Sequence, residues 1–539
     1  MRKFIAVLLS LSFLLPLTAF AADQGDLLQK IDALSKELDR LKVQMQDMQK
    51  KETVKEEKIN MVEKKAPAAK EPSWLEIGGD YRFRVDSLSG NIHDYVQYTG
   101  TPGISLPAGA MGPGTPATTF FASGMAGSTV KNDSILLNRF GLNLKAKATE
   151  DVQVKGRLVM YKAFGRETAA ADLNNYFADK SGVFDGNIGH VPQDNTLRVD
   201  NIYATWSNVF GAPVWFSVGR RPSTDGVPSN LKDNKEKTGS AGVPASLINY
   251  AFDGGTIGVA PDIDKLPGAY AKFCYGRGYE QGFRTSGTPS VKDVDFVGLN
   301  LVPYDTENLH VELQYDRALN LFSNMPDQTT GNFTSVVTNV GDVDQYGLLV
   351  SGKLEKLGPG DLNLFGSAAM SKTHPNENLF SLPFGAIGGQ QFTNGFGLMY
   401  DEGNKQSRTG TAYWLGARYD VKATGTKVGA EYNHGSKYWL AFSPASDDLW
   451  TSKIGTHGSV YEVYLIQSLN KKPIAKRGDA FVRVGYQYYN FDYTGSNNWL
   501  GEPKKISDLT NSAAGLGGTQ MFAPLKNARD IYVTFDVVF

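Results

Sequence analysis

Between Trp74 and the carboxyl terminus, many separate stretches of the sequence have an apolar side chain at every second residue. This period of two constrains the fold more than any other feature. In residues 75–85 the odd positions are apolar or glycine, while most even positions carry charged side chains. A period of two places alternate side chains on opposite faces of a β-strand. The pattern predicts sixteen strands, near residues 74–86, 136–147, 152–160, 196–207, 214–221, 247–260, 269–278, 293–303, 309–320, 344–355, 362–373, 411–421, 427–437, 459–469, 479–491 and 530–539.

The connections between these strands alternate between short turns and long loops without a break. Seven short turns and eight long loops join sixteen strands and leave both chain ends on the side of the turns. An even number of antiparallel strands with this alternation is typical of bacterial membrane barrels. The predicted fold is therefore an all-β, transmembrane antiparallel barrel of about sixteen strands, and a missed hairpin would make eighteen.

The last predicted strand ends at the final residue of the chain. Ile531, Val533, Phe535, Val537 and Phe539 alternate with Asp530, Tyr532, Thr534 and Asp536. Backbone groups cannot stay unpaired in lipid, so this strand is expected to pair with the first and close the barrel. A terminal aromatic residue after such a strand resembles the outer-membrane assembly signal. The resemblance implies that Phe535 and Phe539 serve as this signal and that the barrel assembly machinery is a partner.

Residues 1–21 have the features of a secretory signal peptide. Arg2 and Lys3 precede a mostly apolar stretch that is too short to span a bilayer as a helix. Ala19-Phe20-Ala21 supplies the small-x-small cleavage pattern. No later segment has eighteen consecutive apolar residues. The mature protein is thus expected to lie outside the cytoplasm, either in soluble form or as a membrane barrel over residues 74–539.

Residues 22–64 are predicted to form a periplasmic α-helical coiled coil. Between Leu27 and Met48, apolar residues are spaced alternately by four and three, which is an a/d seam. The seam covers about three heptads, and a single amphipathic helix lying on another surface is the alternative. Residues 65–73 follow as a linker rich in proline, alanine and charge. A paired seam predicts a homo-oligomer.

The residues that catalysis or metal binding would require are sparse. A net charge of −1 gives no indication of nucleic-acid binding. The chain has one cysteine, Cys274, and six scattered histidines without metal-ligand spacing. P-loop, zinc-protease and serine-hydrolase motifs are absent from the sequence. We therefore predict that the chain is not an enzyme and binds no cofactor or metal. The alternative to this prediction is an outer-membrane enzyme with a Ser/His/acid set at the rim of the barrel.

Many charged side chains fall on the predicted inner face of the strands. One wall is expected to be basic and a later wall acidic, with one of Arg220 and Arg221 facing inward. Such charges set ion selectivity in narrow pores, although they could also line a wet lumen for solvation alone. The predicted pore-lining residues are Arg82, Arg84, Arg139, Lys145, Lys147, Lys155, Arg157, Arg221, Glu312, Asp316 and Glu431.

The long loop at residues 222–246 is a candidate constriction. If the strand count holds, it corresponds to the third loop of sixteen-stranded barrels, which folds inward in general porins. Asp225, Asp233 and Glu236 could then face the basic wall. An ordinary surface loop is the alternative.

Four stretches resemble an outer-membrane porin family of delta-proteobacteria: GDYRFRVDS, NDSILLNRFGLNLKAKATEDVQVKGRLVMYKAFG, RVDNIYATWS and VGRRPSTDGVPSN. The resemblance covers Trp74 to Phe539, and its motifs are structural. A coiled coil before a barrel resembles phosphate-selective and amide porins, and porins in general imply a trimer. The 222–246 loop lacks the acidic-aromatic-diglycine motif of enterobacterial general porins, which separates it from their constriction loop.

Together, the residues and the resemblance predict a porin in the cell outer membrane. Passive diffusion of small polar solutes and ions through a water-filled lumen is the expected activity, with a weak anion preference. The alternative is a barrel conduit that sheathes a multihaem cytochrome partner for electron transfer. Outer-membrane lipid is the expected surrounding.

Overall fold

The computed structural model describes residues 74–165, 192, 194–222, 226–235, 237, 247–283, 291–323, 338–443, 445–469 and 478–539. The predicted signal peptide, coiled coil and linker lie outside these residues. Within the described ranges, no helix is both long and apolar enough to cross a bilayer.

Sixteen antiparallel strands form one closed barrel, which confirms the predicted class and strand number. Neighbours along the chain are neighbours in the sheet, and short and long connections alternate. The barrel strands are β1 (Leu75–Ile92), β2 (Ser128–Lys147), β3 (Val152–Ala163), β4 (Arg198–Trp206), β5 (Val214–Arg221), β6 (Phe252–Val259), β7 (Tyr270–Tyr279), β8 (Val294–Asp305), β9 (Leu309–Phe322), β10 (Asn339–Leu357), β11 (Gly360–Pro375), β12 (Thr409–Val421), β13 (Thr426–Gly435), β14 (Gly458–Ser468), β15 (Asp479–Phe491) and β16 (Leu525–Val538).

The barrel closes where β1 pairs with β16, as the last strand predicted. Arg82 lies opposite Asp536 and Phe83 lies opposite Phe535. Beyond the strand, the backbone of Phe539 exchanges two hydrogen bonds with Gly79, of 2.8 and 2.9 Å. A Cβ atom at Gly79 would lie 2.6 Å from the ring of Phe539, so glycine leaves the space that this ring needs.

The outward face of the barrel is apolar over most of its surface. Large apolar side chains stay about half exposed there, including Ile257, Leu299, Val463, Ile531 and Phe535. A continuous exposed apolar surface of this kind is what a lipid-facing barrel wall requires. Residues of opposite parity, such as Arg82, Arg84 and Asp536, are buried on the inner face.

We call the end of the barrel that carries the long connections the loop end. Its connections contain short strands at Tyr95–Tyr98, Ser105–Leu106, Thr118–Phe120, Ala122–Met125, Phe380–Ile387, Gln390–Gly397 and Tyr400–Asp401. A helical turn, α1, spans Ser229–Lys232, and 3-10 turns span Val209–Gly211 (in a short turn), Lys453–Gly455, Ile506–Asp508 and Ala513–Gly518.

The connections at the loop end pack on one another through an apolar cluster. Leu247, Trp439, Phe442 and Trp499 belong to this cluster and come from three different connections. The indole nitrogen of Trp439 donates a hydrogen bond to the Ile454 carbonyl at 2.7 Å. Burial of large aromatic side chains therefore holds these connections together over the loop end.

Candidate functional site in the barrel lumen

The predicted basic residues of β1 to β3 share the inner face. Arg82 lies opposite Arg139, and Lys145 lies opposite Lys155. Directly opposed residues of antiparallel strands project on the same side of the sheet. The structure therefore brings these cations together on neighbouring strands.

Three further predicted basic residues are Arg157, which joins the same wall, Lys147, which lies at its end, and Arg221, which lies on β5. Arg157 forms an ion pair of 2.6 Å with Asp80 on the same wall. Lys147 is exposed at the end of β2, away from the loop end. Arg221 donates a hydrogen bond to the Ser217 hydroxyl on β5. Its guanidinium lies 5.0 Å from the Tyr203 ring centre, so Arg221 is the inward member of the Arg220–Arg221 pair.

The predicted acidic residues lie on β9 and β13 and are deeply buried. Glu312 and Asp316 are 2% and 4% exposed. Glu431 lies opposite Glu462 of β14. The ammonium group of Lys453 donates to both carboxylates at 2.6 Å, which compensates the two adjacent negative charges.

The described segment 226–235 of the 222–246 connection reaches the far wall of the barrel. It begins after β5, yet Arg418 of β12 donates a hydrogen bond to its Leu231 carbonyl. Arg483 of β15 donates to the Lys232 carbonyl at 2.6 Å. Residues 226–235 therefore cross the interior.

Asp233 is the one predicted constriction residue that the structure describes. Its carboxylate lies 3.9 Å from the Arg82 guanidinium and 3.5 Å from that of Arg483. Asp225 and Glu236 lie outside the described residues.

A second connection, residues 436–457, also enters the lumen, and the sequence analysis did not single it out. Its Asp447 forms an ion pair with Arg82 and accepts a hydrogen bond of 3.0 Å from the Tyr161 hydroxyl. The run YWLAFSPASDDLW is far more apolar than a solvent-exposed loop needs to be. That composition is the signal that could have identified it.

The two connections bury the acidic wall and also Arg82 and Arg84 of the basic wall, whose side chains are 4% and 1% exposed, but they leave Arg139 and Lys145 more open. The side chains of Glu431 and Glu462 are 0% and 1% exposed, whereas those of Arg139 and Lys145 are 15% and 32% exposed. A cavity of about 110 Å³ lies between the two walls, because Arg139 and Arg157 of the basic wall and Glu431 of the acidic wall all line it. Its lining includes Arg139, Arg157, Lys232, Asp447 and Lys453.

Glu502 joins three connections at the loop end. Its carboxylate accepts hydrogen bonds of 2.8 Å from Lys437 and from Tyr438, and it lies 3.5 Å from Arg408. Burial acts to raise the pKa of Glu502, but these hydrogen bonds and the charges of Lys437 and Lys504 lower that pKa to about 2. Among the described residues, no group of three His, Cys, Asp or Glu side chains is placed to hold a metal ion.

Comparison with known proteins gives one family match and several distant structures. A family model described as "Protein of unknown function (DUF3373)" matches residues 129–539. No curated protein matches the sequence.

Among solved structures, the anion-selective porin from Comamonas acidovorans is 12% identical, with 86% of this chain and 99% of that one covered and a TM-score of 0.37. OprB from Pseudomonas putida is 11% identical, with 86% and 94% covered and a TM-score of 0.39. OmpT of Vibrio cholerae is 11% identical, with 88% and 100% covered and a TM-score of 0.37.

Proposed function

The chain belongs to the DUF3373 family, and we propose that it is an outer-membrane porin through which small polar solutes and ions diffuse passively. The observation that carries this proposal is a closed barrel of sixteen strands with an apolar outer face and charged side chains on its inner face. Lipid contacts such a wall from outside, while the charged interior favours water and polar solutes.

The uneven exposure of the lumen charges supports a weak anion preference. A solute meets a partly exposed cation at Lys145, which the more exposed Glu76 carboxylate partly offsets at 3.1 Å, while the carboxylates of Glu431 and Glu462 lie beneath other residues. Accessible charge on a pore wall attracts counter-ions more strongly than charge already compensated by a buried partner. Asp233 and Asp447 reduce the positive field, so the preference should be weak. In this proposal, residues 222–246 narrow the path on the side of the acidic wall.

The cytochrome conduit is less compatible with the geometry. A sheath for a folded haem protein needs an empty interior, whereas residues 226–235 bond to β12 and β15 across the lumen. The proposal therefore keeps solute diffusion as the activity. A homo-oligomer, with a trimer as the expected form, and contact with the barrel assembly machinery remain parts of the same proposal.

The test is single-channel recording of the full chain in planar bilayers. We expect discrete conductance steps in potassium chloride and a reversal potential across a salt gradient that leans towards chloride. Folded protein, shown by heat-modifiable mobility, that gives no conductance would contradict the porin proposal. A reversal potential that leans towards potassium would contradict only the anion preference.

A further inference from the structure

Asp447 has a carboxylate that four arginines from three strands surround. Arg82 of β1 contacts it directly. Arg84 of β1 and Arg139 of β2 each approach to 3.8 Å, and Arg483 of β15 to 4.0 Å. We call these four residues the arginine cage. The cage belongs to the barrel wall, whereas Asp447 belongs to the connection between β13 and β14.

The wall strands and Asp233 of the 222–246 connection supply other carboxylates to the cage, but they do so unevenly. Arg82 also pairs with Asp233 and Asp536, Arg84 with Asp86 and Asp530, and Arg483 with Asp233. Within the described residues, Asp447 is the only ion-pair partner of Arg139. An anion at the position of Asp447 therefore supplies the ion-pair partner that Arg139 otherwise lacks within the described residues, and an additional partner for the other three arginines.

Several nitrogens of the cage remain without a hydrogen-bond acceptor. Arg84 Nη1, Arg139 Nε, and Arg483 Nε and Nη2 are buried and have no acceptor among the described residues. The side chains of Arg84 and Arg483 are 1% and 0% exposed. Buried polar groups in folded proteins are usually satisfied, and an unmet donor is costly. The arginine cage thus has more donor capacity than Asp447 uses.

We propose that the arginine cage is a carboxylate-binding site in the lumen and that Asp447 is its built-in occupant. Small carboxylate anions would take the same place when the 436–457 connection moves aside. Guanidinium groups match carboxylates in shape and hydrogen-bond pattern, which favours carboxylate over a spherical anion such as chloride. The cavity of about 110 Å³ is lined by both Arg139 and Asp447 and provides space beside the site. The inference deepens the proposed function, because it names the solute class that the lumen would recognise.

The test removes the built-in carboxylate and supplies a free one. Asp447→Ala deletes a group the size of formate, so the full chain in detergent should then bind formate about tenfold more tightly than the wild type does. Sodium formate is titrated calorimetrically at constant ionic strength, with sodium chloride as the reference salt. Adding Arg139→Gln to Asp447→Ala should abolish the gain.

Asp448→Ala is the matched control. It removes the same charge from the next residue, but the Asp448 carboxylate accepts hydrogen bonds from Gln487 and the Lys453 backbone and lies 3.8 Å from the Lys232 ammonium. Within the described part of the chain, it forms no ion pair with the arginine cage. Formate affinity in this variant should equal that of the wild type. Equal formate binding by the two alanine variants would overturn the proposal.

Folding of Asp447→Ala is informative as well. If the variant refolds in formate and not in chloride, the site is supported, because a ligand that binds only the folded state stabilises it. If it refolds in neither salt, formate does not replace the carboxylate and the proposal is rejected. Calorimetry measures formate binding independently of channel conductance. If the protein conducts ions but Asp447→Ala shows no formate binding, only the carboxylate site is rejected. Binding without conductance rejects the porin alone.

Discussion

Lys145 and Lys155 illustrate, at the scale of single residues, how accessible charge should set selectivity. They lie directly opposite each other on β2 and β3, and both side chains are only partly buried. Replacing both with glutamate should shift the reversal potential from the chloride side towards the potassium side. The Debye length falls from about 10 Å at 0.1 M salt to about 3 Å at 1 M, so the shift should shrink as salt increases.

The matched control for this prediction changes the same amount of charge outside the lumen. Lys131→Glu with Lys265→Glu does so at exposed positions in the outer part of β2 and in the turn before β7. Reversal-potential measurements at both salt concentrations check the prediction. A control variant that shifts selectivity as much as the lumen variant would show that the lumen charges have no special role.

Glu502 should make the packing of the loop end depend on pH. Its folded-state pKa of about 2 lies below the ordinary glutamate value of about 4.3. The contribution of Glu502 to stability is therefore present above about pH 4.3 and is lost as the pH falls through about 2. Wild type should melt at a higher temperature than Glu502→Gln at pH 7, and the difference should disappear near pH 2.

Thermal melts of the detergent-solubilised protein between pH 2 and 7 check this expectation. Glu377→Gln is the control, because the side chain of Glu377 is 91% exposed and, within the described part of the chain, pairs only with Lys405. A Glu502→Gln difference that stays constant across this pH range would contradict the assigned role of the carboxylate.

At the scale of the strands, closure by β16 should decide whether the barrel assembles. Phe535 is 41% exposed on the outer face and lies opposite Phe83. A lysine or arginine on the lipid face near mid-bilayer costs about 2–4 kcal/mol, and aspartate costs less. Phe535→Asp and deletion of Phe539 should both lower the folded fraction in lipid vesicles, measured by heat-modifiable mobility. Phe535→Leu keeps an apolar surface and should fold as the wild type does.

The strands were predictable from sequence, whereas the filling of the lumen was only partly so. A period of two is a local property, and it identified the inward positions of Arg82 on β1 and Glu431 on β13. Asp447 and Arg82 are 365 residues apart in the sequence. Loops have no periodic sequence pattern, so a contact of this kind cannot be predicted from the loop sequence. The strand order suggested an inward course for the 222–246 loop, with a surface loop as the alternative, and residues 226–235 lie in the interior. The 436–457 connection is recognisable only by its apolar composition, because its partners depend on the whole barrel.

At the scale of the whole molecule, the segment before the barrel is expected to govern assembly. The barrel from Trp74 to Phe539 forms its own compact unit, so its fold should not depend on residues 22–64. The a/d seam from Leu27 to Met48 can bury its apolar edge by pairing with copies of itself. Deleting residues 22–64 should therefore weaken the oligomer and leave heat-modifiable mobility unchanged.

Point variants of the full chain test whether the oligomer depends on pairing through the a/d seam or only on the presence of residues 22–64. Leu34→Asn with Leu41→Asn places two polar residues in the seam and should dissociate the oligomer during sizing chromatography and crosslinking. Ser35→Asn with Lys42→Asn places two asparagines one position along the predicted helix, outside the seam, and should leave the oligomer intact. If the seam variant and the deletion both keep the wild-type oligomer, protomer contacts lie in the barrel wall. The helical segment would then contact another periplasmic surface through the same apolar edge, because a single amphipathic helix also needs a surface to cover it.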